Sequence, residues 1–189
     1  MRIVLASTSP RRKELLEKFN IPFEIITEKV DESFDGNDNI YEQSMEIAKR
    51  KAEVIFRKTT GDVIVIGSDT IVVYDNKIYG KPKNYQDAVN MLSKFSDSSH
   101  EVISSLCVLV RKGGKEYVEL TYDKCIVYVD KLSLDEIDEW IGSNDVYSKA
   151  GAYAIQEGFG KYIKKIEGDY FSIVGLPVHK LYNILKKYK

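Results

Sequence analysis

The sequence predicts an α/β protein whose mixed sheet is flanked by helices. Short apolar runs typical of buried strands alternate with amphipathic helical patterns along the chain, and helices are predicted near both ends. Near the centre, two long β-type runs flank Gly113-Gly114, which is typical of an antiparallel hairpin. The alternation favours α/β architecture, and the hairpin argues against a purely parallel sheet.

The first third of the chain predicts two strands and two helices. RIVLAS (2–7) is typical of a buried strand, and the Ser-Thr-Ser-Pro that follows is a favourable start for a helix over 11–19. A strand over 23–27 leads into an acidic, turn-rich loop over 28–39. Apolar residues at close to helical spacing predict a long amphipathic helix over 40–58.

Residues 62–80 predict two strands, the apolar runs 63–67 and 71–74, separated by a break that contains Asp69, with a turn at 75–76. A helix is predicted over 85–95, after the loop Lys-Pro-Lys-Asn. The region 100–129 predicts the long hairpin, because both arms are rich in β-branched and aromatic residues.

The C-terminal third begins with a predicted helix over 132–141. Ser133 is its predicted N-cap, and Glu136, three residues later, completes a capping box. Residues 147–187 are interpreted as strands and glycine turns closed by an amphipathic helix. The chain contains no repeat, low-complexity segment or clear linker, so a single domain over 1–189 is expected.

Composition excludes several functional classes. The chain has 189 residues, of which 43% are hydrophobic and 30% charged, as in ordinary globular proteins. The net charge of −1 provides no global field for nucleic acid or an acidic membrane. No apolar run approaches membrane-spanning length and no signal peptide is recognisable, so a cytoplasmic protein is expected.

The cysteines and histidines argue against a disulfide and a zinc site. Cys107 and Cys125 each lie in an apolar, β-branched stretch, so buried reduced thiols are expected rather than a disulfide or a nucleophile. His100 and His179 are far apart in sequence with no cysteine nearby, which argues against a zinc site.

The first helix begins with three cations where the helix dipole favours anions. Arg11, Arg12 and Lys13 follow Pro10 directly. Free amides, hydroxyls and forked guanidinium groups together would suit a phosphate. The alternative is a capped helix whose basic side chains point into solvent, and this segment alone leaves both interpretations open.

Three further charged residues have both a structural and a functional interpretation. Asp69 follows an apolar run, where it would form a local turn or lie at an active cleft. Lys81, between Gly and Pro, occupies a rigid loop position. Lys51 lies near the apolar side of the long helix, where a lysine more often extends its ammonium to solvent. Together they would supply cations and one acid beside a phosphate site.

An ordered set of motifs resembles the Maf (septum-formation inhibitor) family of nucleoside triphosphate pyrophosphatases. The motifs are LASTSPRRKELL, VDES, KRKAE, GSDTIVV, GKP, SSHEV, KAGAYAIQ and IEGDYFSIVGLP, running nearly end to end. The resemblance implies a fold shared with inosine-triphosphate pyrophosphatases, with two lobes around a substrate cleft. It also implies hydrolysis of a nucleoside triphosphate to the monophosphate and pyrophosphate with a divalent metal, Mg²⁺ or Mn²⁺. The implied functional positions are Ser7, Arg12, Glu32, Lys51, Asp69 and Lys81.

The resemblance assigns a role to each position. Asp69 matches the family's proton acceptor, and a carboxylate can also bind metal. Arg12, Lys51 and Lys81 would offset the charge of the phosphates together with Ser7 at the helix start. Glu32 would help to hold the metal through oxygen ligands.

Three positions match the dTTP/UTP branch of the family rather than the branch that acts on 7-methyl-GTP. They are Arg11, Thr70 and Gln156, where the other branch typically has Trp, Gln and Glu. A neutral amide can both donate to and accept from a pyrimidine edge. Preference for modified pyrimidines and the formation of a homodimer are left open.

The chain departs from the family pattern at two places. Ser148 stands where many relatives have Asp, and Asp97-Ser98 where relatives usually have Gly and a longer polar residue. Neither place touches the implied functional positions.

Two other functional classes are alternatives to a pyrophosphatase. A nucleotide-binding regulator of cell division without catalysis would need the pocket but not Asp69, which this chain keeps. A kinase or GTPase is disfavoured because neither G-x-x-x-x-G-K-[ST] nor G-x-G-x-x-G occurs.

Overall fold

The computed structural model describes residues 1–33 and 39–188, so residues 34–38 of the predicted acidic loop lie outside the described residues. The strands are β1 (Arg2–Leu5), β2 (Glu24–Ile25), β3 (Val63–Tyr74), β4 (Lys77–Tyr79), β5 (Ser99–Lys112), β6 (Lys115–Val129) and β7 (Ile163–Glu167). The α-helices are α1 (Pro10–Lys18), α2 (Ile40–Phe56), α3 (Tyr85–Phe95), α4 (Leu134–Ser143), α5 (Tyr170–Val174) and α6 (Val178–Tyr188). No described helix has the length and apolar character needed to cross a membrane.

The strands form a mixed sheet, as the sequence predicts. Their order is β2-β1-β3-β5-β6-β7, and β4 pairs with β3 outside this path. β1 runs parallel to both β2 and β3, whereas β3–β4 and β6–β7 are antiparallel. Parallel pairing at one edge and hairpins elsewhere confirm the mixed α/β class.

The chain divides into two compact units. The first unit contains Met1–Asp69, Ser104–Asp123 and Gly175–Lys189, and the second contains Thr70–Ile103 and Lys124–Val174. The single domain over 1–189 and the cleft between two lobes stay predictions.

The core of the first unit forms between helix α2 and strands of the sheet. Ile47, Ala48, Ala52 and Ile55 are buried, as their helical spacing predicts. They belong to the apolar side of α2, and Ala48, Ala52 and Ile55 share a core cluster with β1 and β3 residues. Cys107 lies in the same cluster as a free thiol, and burial raises its pKa to about 12.

The predicted break at Asp69, between the runs 63–67 and 71–74, is wrong, because β3 runs without interruption from Val63 to Tyr74. A Cβ at Gly67 would lie 2.2 Å from the backbone oxygen of Ala48 and 2.9 Å from the nitrogen of Ala52. The glycine therefore allows α2 to approach the strand closely. Asp69 is consequently a strand residue rather than part of a turn.

The second unit has an aromatic core built on α3 and α4. Phe95, Trp140 and Phe159 are buried in one cluster with Cys125, which is also a free thiol. The indole nitrogen of Trp140 donates to the carbonyl of Ala152 at 3.0 Å. This bond ties α4 to the segment that precedes Gln156.

Local signals placed most elements correctly. Asp75 and Asn76 both have positive φ, as a two-residue hairpin turn requires, and α3 has the predicted bounds. The Ser133–Glu136 capping box is present. The C-terminal region differs from the prediction: it contains β7, two 3₁₀ helices at Ala150–Ala152 and Gly158–Tyr162, and the short helix α5 before α6.

Candidate active site

The turn between β1 and α1 places Arg12 inside the protein. Ser9 is the N-cap residue, and the Oγ of Ser7 accepts a hydrogen bond from the Ser9 amide at 3.2 Å. Arg12 is 8% exposed; its Nη1 donates to Ser7 Oγ at 3.0 Å and its Nε to the carbonyl of Gly175 at 2.9 Å. The alternative in which these cations all point into solvent is therefore wrong for Arg12, although Lys13 is exposed.

Burial shapes the electrostatics of this turn. Loss of hydration lowers the pKa of the Arg12 guanidinium, and the negative charge of Asp69 opposes that shift. Arginine keeps its charge across the physiological range in either case. The beginning of α1 therefore presents a fixed buried cation that feels the charge of Asp69.

Asp69 lies in β3 and is the centre of a buried polar cluster. It is 6% exposed. Its Oδ1 accepts from the Lys51 ammonium at 2.9 Å, and its Oδ2 accepts from Ser44 Oγ at 3.4 Å. Both carboxylate oxygens are thus engaged by side chains of helix α2.

Lys51 joins two carboxylates. Its Nζ lies 2.9 Å from Asp69 Oδ1 and 3.0 Å from Glu32 Oε2, and its side chain is 13% exposed. The alternative in which this lysine extends into solvent is therefore wrong. Ser7, Arg12, Glu32, Lys51 and Asp69 all belong to the first unit.

Two serines near Asp69 were missed at the level of sequence. Ser44 and Ser105 are fully buried, and Ser105 Oγ donates to Ser44 Oγ at 2.8 Å. The available signal is the helical spacing of Ser44 and Lys51, which lie seven residues apart and therefore share one face of α2. For Ser105, a polar residue within an apolar run is the available signal.

The carboxylates of Asp69 and Glu32 carry oxygen donors of the kind that a hard divalent cation prefers. Within the described residues, no group of three or more His, Cys, Asp or Glu side chains could hold a metal. The carboxylates of Asp69 and Glu32 nevertheless meet at one ammonium group, so their nearer oxygens lie within about 6 Å of each other. Mg²⁺ is commonly held by one or two carboxylates together with phosphate oxygens, and this pair could provide the carboxylates.

The remaining predicted site residues are more exposed to solvent than Asp69. Arg11 is half-buried on α1. Thr70 follows Asp69 in β3 and belongs to the second unit, as do Lys81 and Gln156, which are exposed. The roles of these four residues stay predictions.

The departures from the family pattern make local contacts in the second unit. Ser98 Oγ donates to the carbonyl of Phe95 at 2.9 Å, and Asp97 has a positive φ of 53°. A hydrogen bond from Ser148 lowers the pKa of the Asp145 carboxyl. Ser98 and Ser148 therefore add local hydrogen bonds, whereas Asp97 occupies a left-handed backbone conformation that glycine adopts with less strain.

Comparisons with known proteins show which family the chain is similar to. The family model for Maf-like proteins matches residues 2–188. A dTTP/UTP pyrophosphatase of Caldicellulosiruptor bescii is 41% identical over 190 residues, covering 98% of this chain and 94% of that protein. A dTTP/UTP pyrophosphatase of Aquifex aeolicus is 42% identical over 188 residues, covering 99% and 95%.

A solved structure of a nucleoside-triphosphatase (dITP/XTP pyrophosphatase) from Mycobacterium abscessus is more distantly similar. The TM-score is 0.40 at 13% identity over 70% of this chain and 76% of that one, a likeness on which no conclusion rests. The match of the family model over nearly the whole length and relatives above 40% identity carry the assignment. This chain belongs to the family of Maf-like proteins.

Proposed function

We propose that this protein hydrolyses dTTP and UTP to the monophosphate and pyrophosphate. The observation that carries the proposal is the buried carboxylate of Asp69, held by Lys51 and Ser44 in the same unit as Arg12. Support for the substrate comes from the relatives, which are named dTTP/UTP pyrophosphatases and align over almost the full chain.

In the proposed reaction Asp69 is the general base. A water oxygen attacks the α-phosphorus while Asp69 takes the proton, and the bond from the α-phosphorus to the bridging oxygen breaks to release pyrophosphate. The beginning of α1, with Ser7 and Arg12, binds phosphate oxygens, and Lys51 and Lys81 offset the charge that develops on the leaving group.

Asp69 and Glu32 would hold the divalent cation that the family uses. When bound, Mg²⁺ or Mn²⁺ supplies positive charge to the triphosphate in addition to that of the arginine and lysines. The side chains that belong to the protein still position the substrate and accept the proton.

Arg11, Thr70 and Gln156 are proposed to select the base. Polar recognition of this kind discriminates strongly where the bound base covers the polar groups, because a wrong base then leaves donors and acceptors unpaired. A cytoplasmic location is proposed as well, since the thiols of Cys107 and Cys125 are free.

A panel of nucleoside triphosphates with Mg²⁺ or Mn²⁺ tests the proposal. Products are scored for pyrophosphate against orthophosphate, with dTTP and UTP compared with GTP, ATP and 7-methyl-GTP. Pyrophosphate from dTTP and UTP is the expected result. Orthophosphate and a diphosphate as sole products would overturn the reaction, and tight nucleotide binding without any product would favour a regulatory protein.

A further inference from the structure

Two buried hydroxyl groups form a chain that ends on Asp69. Ser44 of α2 and Ser105 of β5 are both 0% exposed. Ser105 Oγ lies 2.8 Å from Ser44 Oγ, which in turn lies 3.4 Å from Asp69 Oδ2. Burying a hydroxyl is unfavourable unless it is hydrogen-bonded, and these two satisfy one another in front of a carboxylate.

The donor and acceptor in each of these hydrogen bonds follow from the fact that the last acceptor is a carboxylate. An ionised carboxylate only accepts hydrogen bonds, so the single hydroxyl proton of Ser44 points at Asp69. Ser44 must then accept from Ser105, whose own proton is used in that bond. The two hydroxyl dipoles are aligned, and each strengthens the other in a low-dielectric interior.

The two oxygens of Asp69 are held by unlike partners. Oδ1 accepts from Lys51, whose long stem can follow a moving charge, whereas Oδ2 accepts from Ser44, whose short side chain turns about one bond. Lys51 is also shared with Glu32. Lys51 therefore makes the shorter contact, and Ser44 adds a short, less mobile side chain that holds the second carboxylate oxygen.

We propose that Ser44 is a positioning residue that fixes the plane of the Asp69 carboxylate, and that Ser105 acts through Ser44. The inference rests on the proposed function, in which Asp69 takes a proton from water. A base held in one orientation keeps its oxygen within reach of the attacking water, and a misplacement of about 1 Å can cost about a hundredfold in rate.

Kinetics of Ser44→Ala, Ser105→Ala and the double variant test whether Ser105 acts on Asp69 only through Ser44. Ser44→Ala is expected to lower kcat about ten- to a hundredfold with KM for dTTP nearly unchanged. Ser105→Ala should lower kcat less, and the double variant should equal Ser44→Ala, because Ser105 has no route to Asp69 once Ser44 is gone. Ser105→Thr restores the hydroxyl on a side chain that suits a strand, and should recover kcat.

Thr59→Val is the matched control. Thr59 also carries a buried hydroxyl in the first unit, where it donates to the carbonyl of Phe56 at 2.8 Å. Its removal should leave kcat unchanged. A kcat for Ser44→Ala equal to that of Thr59→Val, or a double variant that loses the full factors of both single variants, would overturn the proposal.

Urea unfolding provides a test that does not need an active enzyme. Ser44→Ala should lower the unfolding midpoint more in the wild type than in Asp69→Asn, because a hydrogen bond to a charged acceptor is about twice as strong as one to a neutral amide. If the wild type releases no pyrophosphate, the proposed function fails, while this comparison still reports on the contact. Equal losses in the two backgrounds would show that Ser44 does not support the Asp69 charge.

Discussion

At the scale of single residues, Asp69 and Lys51 form the ion pair on which the proposed activity would depend. The contact is largely buried, and a buried ion pair offsets its desolvation only while both partners remain. Lys51 keeps Glu32 as a second partner, so loss of the Asp69 charge would not leave the ammonium unpaired. The protein should therefore tolerate a neutral residue at position 69 better than its catalysis does.

Asp69→Asn tests this separation. The amide is almost isosteric but cannot take a proton from water, so kcat should fall by roughly a hundred- to ten-thousandfold while the fold is kept. Steady-state pyrophosphate release and circular dichroism measure the two effects. Asp135→Asn, an exposed acid in the first turn of α4, is the control. A well-folded Asp69→Asn variant with wild-type turnover would mean that the base lies elsewhere.

Arg12 and Gln156 are expected to divide phosphate binding from base selection. Arg12→Lys should lower kcat/KM for UTP, dTTP and GTP alike, because lysine keeps the charge but lacks the fork that reaches both Ser7 and Gly175. Gln156→Glu should weaken use of UTP and dTTP far more than use of GTP. Measured kcat/KM values that reverse these two patterns would contradict the division.

Arg12→Ala is a less specific probe of the same site. The side chain is buried and hydrogen-bonded to a carbonyl, so its removal should lower stability as well as activity. Comparing the thermal unfolding of Arg12→Ala with that of Arg12→Lys shows how much of the loss of activity accompanies a loss of stability.

The sequence indicated the chemistry of the site better than its contacts. Phosphate chemistry could be expected at Arg12 from the helix start, yet its bond to Gly175 spans 163 positions and has no local signal. Ser44 and Ser105 are 61 positions apart, and neither is distinctive alone. Pairing across such distances depends on how helices and strands pack together in the fold, which the spacing of residues along one element does not specify.

At the scale of elements, local signals succeeded where the cause was local. The predicted Ser133–Glu136 capping box of α4 involves neighbours in sequence. The break predicted next to Gly67 does not occur, because this glycine allows α2 to pack closely against β3 rather than ending a strand. The 3₁₀ helices after Lys149 are only three and five residues long, too short to produce a periodic pattern.

Gly67→Ala tests this account of β3 and α2. The added Cβ would meet the Ala48 oxygen at 2.2 Å, so α2 must shift, and unfolding should become easier by about 1–3 kcal/mol. Gly142→Ala is the control: it lies in α4 with no atom within 4 Å of its Cβ, and should be neutral or stabilising by up to about 1 kcal/mol. Urea unfolding measures both. Equal stability of the two variants would contradict the close approach.

At the scale of the whole molecule, 28 cations nearly balance 29 anions, so attraction for a triphosphate must come from local clustering. Arg12, and Lys51 beside its two carboxylate partners, are the largely buried cations proposed to supply that charge. Buried charges are screened by salt much less than exposed ones. The balance of charge over the whole chain therefore gives no measure of the charge available at the site.

The dependence of global stability on pH is expected to reflect a single buried histidine. His100 is 2% exposed; its Nε2 lies 2.7 Å from the hydroxyl of Tyr153, and its Nδ1 has no hydrogen-bond partner among the described residues. Burial lowers the pKa of His100 from 6.5 to about 3. The ring is therefore neutral in the native protein at all but strongly acidic pH.

The sign of the effect follows from proton uptake. Between pH 6.5 and about 3 the unfolded chain binds a proton at His100 that the native state refuses, so stability falls as pH falls through this window. The slope should approach about 1.4 kcal/mol per pH unit at most. Carboxylates also titrate below pH 5, so a variant lacking only this histidine is needed to isolate its share.

His100→Gln should flatten the stability profile between pH 6.5 and 4, whatever its stability at neutral pH, because the excess proton uptake on unfolding is gone. His179→Gln changes an exposed histidine of α6 and should keep the wild-type slope. Urea unfolding free energies at half-unit steps of pH measure all three proteins. Parallel curves for the wild type and His100→Gln would show that the acid sensitivity arises from other groups. A flattened curve for His179→Gln would show that His179 contributes to it.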